Sequence, residues 1–151
     1  MTEERQLQVE YTFEAPRELV FAAWMDPDQV AQWWAPKGFE VPRDSIEIDP
    51  RVGGRHVLCM VQQASGAEFW VRNEIVELNE PELLVLHGEA MPEVGLPFET
   101  VTRVELADDG GVTRMALTSG PYTPQMAPNA EAGWRNGAEQ LAALVKEQPS
   151  A

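Results

Sequence analysis

Two histidines and one cysteine are the side chains of this sequence best suited to nucleophilic or acid–base chemistry. His56 and Cys59 lie three positions apart in a segment with strand-like alternation, so a regular strand points them to opposite faces of its sheet. They therefore cannot form the local thiolate–imidazolium pair that a cysteine nucleophile needs. Neither histidine has a second ligand at a spacing typical of zinc sites. We expect no metal and no cofactor, and we assign no catalytic residue.

Acid–base chemistry by His56 or His87 stays open as an alternative. Inside a dry cavity the pKa of an imidazole would shift, which such chemistry requires. A carboxylate such as Glu74 could then complete a polar pair. The competing interpretation is a structural or exposed strand histidine in each case, and the direction in which the two side chains point would decide.

The aromatic residues are a richer set than the titratable ones. The sequence contains five tryptophans, and large aromatic side chains usually pack in cores. Trp34 precedes a predicted loop and Trp134 lies in the last predicted helix, so packing and ligand contact are both open for these two. Met60 and Met115 add adaptable apolar surface. Such residues suit the binding of a hydrophobic or aromatic molecule better than its transformation.

The elements that must position these side chains follow from the periodicity of the sequence. Residues 7–14 alternate between apolar and polar, which predicts a half-buried strand. Pro16 and the Asp26-Pro27 pair then open two short helices. Period two returns from 43 to 119 and predicts six strands joined by turns. They lie near 46–48, 55–62, 67–78, 83–87 and 98–106, and after the turn at 108–111.

A long amphipathic helix is predicted at about 125–147. Trp134, Ala138, Leu141 and Val145 share one of its faces, and the sheet is the partner available to bury that face. Consecutive strands joined by short turns form an antiparallel meander. The predicted class is α+β: a curved antiparallel sheet of about six or seven strands around a long C-terminal helix, with two short helices after the first strand.

Length and charge limit the classes of function. The chain has 151 residues, which suits one domain spanning 1–151. Its formal net charge of -14 repels nucleic acid and anionic membranes, so we expect neither as a partner. One cysteine excludes an internal disulfide, and we expect no signal peptide and no membrane span. These features favour a cytoplasmic protein, and a homodimer stays open.

Seven short motifs are spread along nearly the whole chain: Ala15-Pro16, 20–24, Asp26-Pro27, 33–38, 49–54, 77–85 and Gly133-Trp134. In this order they resemble those of the START-like, or SRPBCC, helix-grip superfamily, which includes the birch-pollen allergen Bet v I. Within it the chain most resembles the family named after the activator of the Hsp90 ATPase.

The resemblance implies a deep cavity between the sheet and the last helix. Members of the superfamily carry lipids, sterols or plant hormones, or act as cyclases and aromatases. We therefore predict a small hydrophobic-ligand-binding protein, with a cyclase or hydrolase and a chaperone-accessory module as alternatives. A chaperone partner is not expected, because the chain starts at its first strand and lacks the additional domain of the eukaryotic co-chaperones. The candidate ligand-binding residues are Trp34, His56, Met60, Trp70, His87, Met115 and Trp134.

Overall fold

The computed structural model describes residues 4–92 and 96–146. Its elements follow the predicted order, with one strand more than predicted and a 3-10 turn at Arg43–Ser45. The helices are α1 (Arg17–Met25), α2 (Pro27–Trp33) and α3 (Ala127–Lys146), and the strands are β1 (Arg5–Phe13), β2 (Phe39–Glu40), β3 (Glu47–Ile48), β4 (Arg55–Gln62), β5 (Glu68–Asn79), β6 (Leu83–Gly88), β7 (Thr100–Asp109) and β8 (Val112–Tyr122).

The strands form one curved antiparallel sheet in the order β1-β8-β7-β6-β5-β4-β2, and β3 pairs with β4. From β4 to β8 each strand pairs with the next along the chain, which is the predicted meander. The strand that the sequence prediction missed is β2. Its two residues are too few to show alternation. The predicted α+β class is confirmed.

The two short helices begin and end at the predicted signals. Asp26 caps α2, because its Oδ1 accepts a hydrogen bond from the backbone N–H of Asp28 at 3.1 Å, and Pro27 occupies the first turn. The same aspartate ends α1, where its backbone N–H donates to the carbonyl of Ala22 at 2.8 Å. One residue therefore sets the corner between the two helices.

The last helix packs differently along its length. Ala138, Leu141 and Val145, in its C-terminal half, are buried in the main core with side chains of β1, β7, β8 and α1. Gln140 fixes the helix to the end of α2, because its Nε2 donates to the carbonyls of Trp33 at 2.7 Å and Ala35 at 2.8 Å. The N-terminal half of α3 instead covers an open space above the sheet, described next.

Candidate functional site

A pocket of about 460 Å³, here called the grip pocket, lies between the concave face of the sheet and the N-terminal half of α3. Most of its wall is apolar or aromatic. The described residues that line it are Trp34, Pro36, Phe39, Met60, Phe69, Val71, Arg72, Asn73, Leu86, Gly88, Glu89, Met91, Leu96, Phe98, Thr100, Thr102, Tyr122, Met126, Asn129, Ala130, Gly133 and Trp134. Three of the predicted ligand-binding residues, Trp34, Met60 and Trp134, are therefore brought together here.

Strand β5 presents its odd-numbered side chains to the grip pocket. Phe69, Val71 and Asn73 line it, and the Phe69 ring lies 6.0 Å from the ring of Phe39. Trp70 is predicted as a ligand residue, but alternation places it on the opposite face. There it is 38% exposed, with the guanidinium of Arg72 5.6 Å from its ring centre. The sequence could not choose between the two faces because both mix polar and apolar residues.

Four tryptophans gather at one end of the grip pocket. The ring of Trp34 lies 5.5 Å from that of Trp134 and 5.7 Å from that of Trp24. Trp24 and Trp33 are buried behind them, 4.7 Å apart, and Trp33 Nε1 donates to the carbonyl of Ala23 at 2.8 Å. Trp34 and Trp134 thus combine core packing with exposure to the pocket, as expected of aromatic residues at binding sites.

His56 is fully buried behind this aromatic wall and does not line the grip pocket. Its Nε2 lies 3.0 Å from the carbonyl oxygen of Trp24 and its ring centre 5.4 Å from that of Trp34. Because a carbonyl accepts only, Nε2 carries the proton, and Nδ1 has no partner among the described residues. Burial lowers the pKa of His56 and outweighs the opposing effect of the Trp24 carbonyl. The group is therefore a neutral structural imidazole.

The other predicted candidates lie away from the grip pocket. His87 alternates with the pocket residues Leu86 and Gly88, so it points to the other face, where its Nε2 lies 2.8 Å from the carboxylate of Glu99. Its register partner on β5 is Glu74, so that carboxylate also lies away from the pocket. Met115 is buried in the main core. The two histidines are therefore not brought together with a carboxylate inside the cavity.

Cys59 is buried, and its backbone N–H donates to Ser45 Oγ at 3.1 Å. Burial is the main cause that raises the pKa of its thiol. A thiol held protonated in this way is a poor nucleophile. Within residues 4–92 and 96–146, no group of three His, Cys, Asp or Glu side chains could hold a metal ion.

A chain of hydroxyl groups crosses one wall of the grip pocket and is the feature that sequence reasoning missed. Thr102 Oγ1 and Ser119 Oγ lie 2.8 Å apart, and Ser119 Oγ lies 2.8 Å from the hydroxyl of Tyr122. Trp134 Nε1 donates to the same Tyr122 oxygen at 3.4 Å. The sequence feature that could have revealed this chain of hydroxyl groups was the presence of Thr102 and Ser119 at inward-facing strand positions. The pairing of these two residues across β7 and β8 joins them.

A second depression of about 610 Å³ is lined by charged and apolar residues together. Its residues Arg103, Glu105 and Arg114 alternate with core residues of β7 and β8, so they lie on the outer face of the sheet. Its arginines are already paired: Arg17 with Glu82, Arg103 with Glu105 and Arg114 with Asp109. Solvated ion pairs of this kind offer little to a ligand. The candidate site is therefore the grip pocket.

A curved antiparallel sheet closed around a long C-terminal helix defines the helix-grip class of domains. In this chain two short helices stand between the first strand and the rest of that sheet. This chain belongs to the activator of Hsp90 ATPase homolog 1-like protein family, whose family model matches residues 14–146. The predicted family is thus confirmed.

Solved structures agree with that assignment. A protein from Chromobacterium violaceum is 28% identical, with 95% of this chain and 98% of that chain covered and a TM-score of 0.85. The AHSA1 protein from Silicibacter pomeroyi is 23% identical, over 94% and 98%, with a TM-score of 0.77. An AHSA1-like protein from Aeromonas hydrophila is 21% identical, over 97% and 99%, also with 0.77. The last two show the fold alone. No curated protein matches the chain.

None of the helices among the described residues is long and apolar enough to cross a membrane.

Proposed function

We propose that this chain binds a small hydrophobic or aromatic molecule in the grip pocket. The observation that supports this is the pocket itself: about 460 Å³ of space walled by Trp34, Trp134 and three phenylalanines. Sites for small molecules commonly have volumes of about 300–1,000 Å³ and mostly apolar walls. An apolar molecule that enters this space would lose its contact with water, which drives its binding.

The arrangement of the titratable groups favours binding over catalysis. Acid–base chemistry needs a titratable group within hydrogen-bond reach of the substrate. His56 is separated from the pocket by the Trp34 ring and already donates to the Trp24 carbonyl, and His87 pairs with Glu99 on the other face. The function we propose is therefore the binding of a small molecule and not its transformation. We also propose a cytoplasmic location, and the formal net charge of -14 supports the proposal that neither nucleic acid nor a membrane is a partner.

The test is to fill the grip pocket from the helix side. Gly133 lines the pocket, and a side chain added there meets no atom within 4 Å. In Gly133→Leu the new side chain extends into the pocket, while leucine also favours the helix over glycine. Gly133→Ala is the matched control, because it gives the same backbone change with little added volume.

Equilibrium dialysis with 2-ethylnaphthalene as the probe measures the result. We expect the parent and Gly133→Ala to bind alike, and Gly133→Leu to bind about tenfold or more weakly because of overlap with the probe. Thermal unfolding verifies that both variants fold. A parent protein that fails to bind the probe, or a Gly133→Leu variant that binds it as well as the parent, would contradict the proposal.

A further inference from the structure

The hydroxyl chain of Thr102, Ser119 and Tyr122 carries one proton more than its own contacts use. Three hydroxyl groups supply three protons, and the chain contains two oxygen–oxygen contacts of 2.8 Å each. Each contact uses one proton. The remaining proton must be donated to a group other than these three hydroxyls, because a buried donor without an acceptor is costly.

The order of the chain decides which hydroxyl holds that proton. The indole N–H of Trp134 can only donate, so it occupies the oxygen of Tyr122 as acceptor. The phenol is more acidic than an aliphatic hydroxyl, and it therefore donates onward to Ser119. With that proton directed at its oxygen, the fully buried Ser119 has Thr102 Oγ1, 2.8 Å away, as the acceptor for its own proton. The Thr102 hydroxyl, which lines the grip pocket, is left with its proton for a ligand.

Further neutral polar groups stand beside Thr102 in the neighbouring row of the sheet. Asn73 pairs with Gly88, and Gly88 pairs with Thr100. A methyl group on Gly88 would lie 2.7 Å from Asn73 Oδ1 and 3.0 Å from Thr100 Oγ1, so the glycine leaves room for both side chains above it. A short polar strip thus runs across an otherwise apolar floor, which is how such pockets orient a ligand.

The polar strip holds no positive charge. Arg72 is the one cation among the described lining residues, and its guanidinium stacks over Trp70 on the opposite face of the sheet. A carboxylate buried against Thr102 would therefore lack a charged partner, and burying an unpaired charge is very unfavourable. A neutral acceptor does not carry this penalty.

We infer that the ligand of the grip pocket is an apolar molecule bearing a neutral carbonyl oxygen, which accepts the hydrogen bond of the Thr102 hydroxyl. This inference rests on the proposed binding function and specifies the chemistry of its ligand. The apolar part of the molecule occupies the aromatic end of the pocket near Trp34 and Trp134, and the carbonyl lies over the strip beside Gly88.

Three probes of similar shape test this assignment: 2-acetonaphthone, 2-ethylnaphthalene and 2-naphthoate. Equilibrium dialysis of each with the parent protein gives three dissociation constants. We expect 2-acetonaphthone to bind about fivefold or more tightly than 2-ethylnaphthalene, which is the contribution of one hydrogen bond between neutral groups. We expect 2-naphthoate to bind most weakly, because its charge is left unpaired.

Variants of Thr102 attribute the difference to one hydroxyl. Thr102→Val removes the hydroxyl at constant shape and should make the ketone and the hydrocarbon bind alike, whereas Thr102→Ser should keep the preference for the ketone. If 2-ethylnaphthalene binds and 2-acetonaphthone binds no more tightly, or 2-naphthoate binds best, the carbonyl assignment is wrong although the pocket binds ligands. If none of the probes binds, the binding function itself fails. Retention of the ketone preference in Thr102→Val would also overturn the assignment.

Discussion

The buried imidazole of His56 should make the protein sensitive to mild acid. In the unfolded chain the imidazole has its ordinary pKa of about 6.5, whereas burial lowers the pKa in the native state. Below about pH 6.5 the unfolded chain therefore binds a proton that the native protein does not. The stabilising contribution of the neutral imidazole is therefore fully present well above that pH. The free energy of unfolding falls as the solution is acidified.

The size of this loss follows from the same comparison. As long as the native imidazole stays neutral, the free energy of unfolding falls by about 1.4 kcal/mol between about pH 7.5 and pH 5.5 from this group alone. We expect His56→Gln to lose much less over the same interval, because glutamine does not titrate and its amide can still donate to the Trp24 carbonyl. Urea unfolding of both proteins in a His87→Gln background, which leaves His56 as the one remaining histidine, measures the difference.

Equal acid sensitivity of the two proteins would refute this reasoning. It would mean that the native imidazole accepts a proton as readily as the unfolded one, contrary to its complete burial. Nitrogen chemical shifts of His56 give a second measurement that needs no substitution at this position. They should report an imidazole protonated at Nε2 and neutral through the same interval, and protonation near pH 6.5 in the folded protein would equally refute it.

Three further predictions concern stability, and all are measured by chemical or thermal unfolding. Asp26→Ala should cost about 1 kcal/mol, because it removes the side chain that caps α2 and accepts from Asp28, while Asp26→Asn should cost less; equal losses would contradict the capping role. Gly137→Ala should stabilise by up to about 1 kcal/mol, since the added methyl lies 3.7 Å from the Trp33 ring at ordinary contact distance. Gly88→Ala should instead destabilise by about 1–3 kcal/mol, because its methyl meets side-chain oxygens at 3.0 Å or less, and a stabilised Gly88→Ala would show that these neighbours move freely.

The order of the elements could be read from the sequence because the signals are local. Pro16, Asp26 and the glycines at 110–111 act within a few residues, and alternation along a strand needs no knowledge of its neighbours. The apolar stripe of Ala138, Leu141 and Val145 likewise predicted which face of the last helix is buried. Strand β2 was missed because two residues show no period.

The candidate site was less predictable because it depends on which strands become neighbours. Trp70 and His87 have the types expected of a ligand site, but alternation places them on the outer face. Thr102 and Ser119 lie 17 positions apart, and they meet through strand pairing. Their hydroxyls join Trp134 only because α3 docks over Tyr122. The types and positions of these residues are visible in the sequence, but which strands and helices become neighbours is not.

The pairing of the first strand with the last has a consequence for how the chain is made. Phe13 of β1 pairs with Thr113 of β8, 100 positions later in the sequence. A ribosome adds about 5–20 residues per second, so β1 waits for about 5–20 s before its partner strand has been synthesised. Throughout that interval its apolar face, with Val9 and Phe13, lacks both its partner strand β8 and the helix α3 that packs against it. Nascent chains should therefore depend on any factor that covers the apolar face of β1 until β8 has been synthesised. The rate of synthesis should then affect the yield of folded protein more than the stability of the finished domain alone suggests.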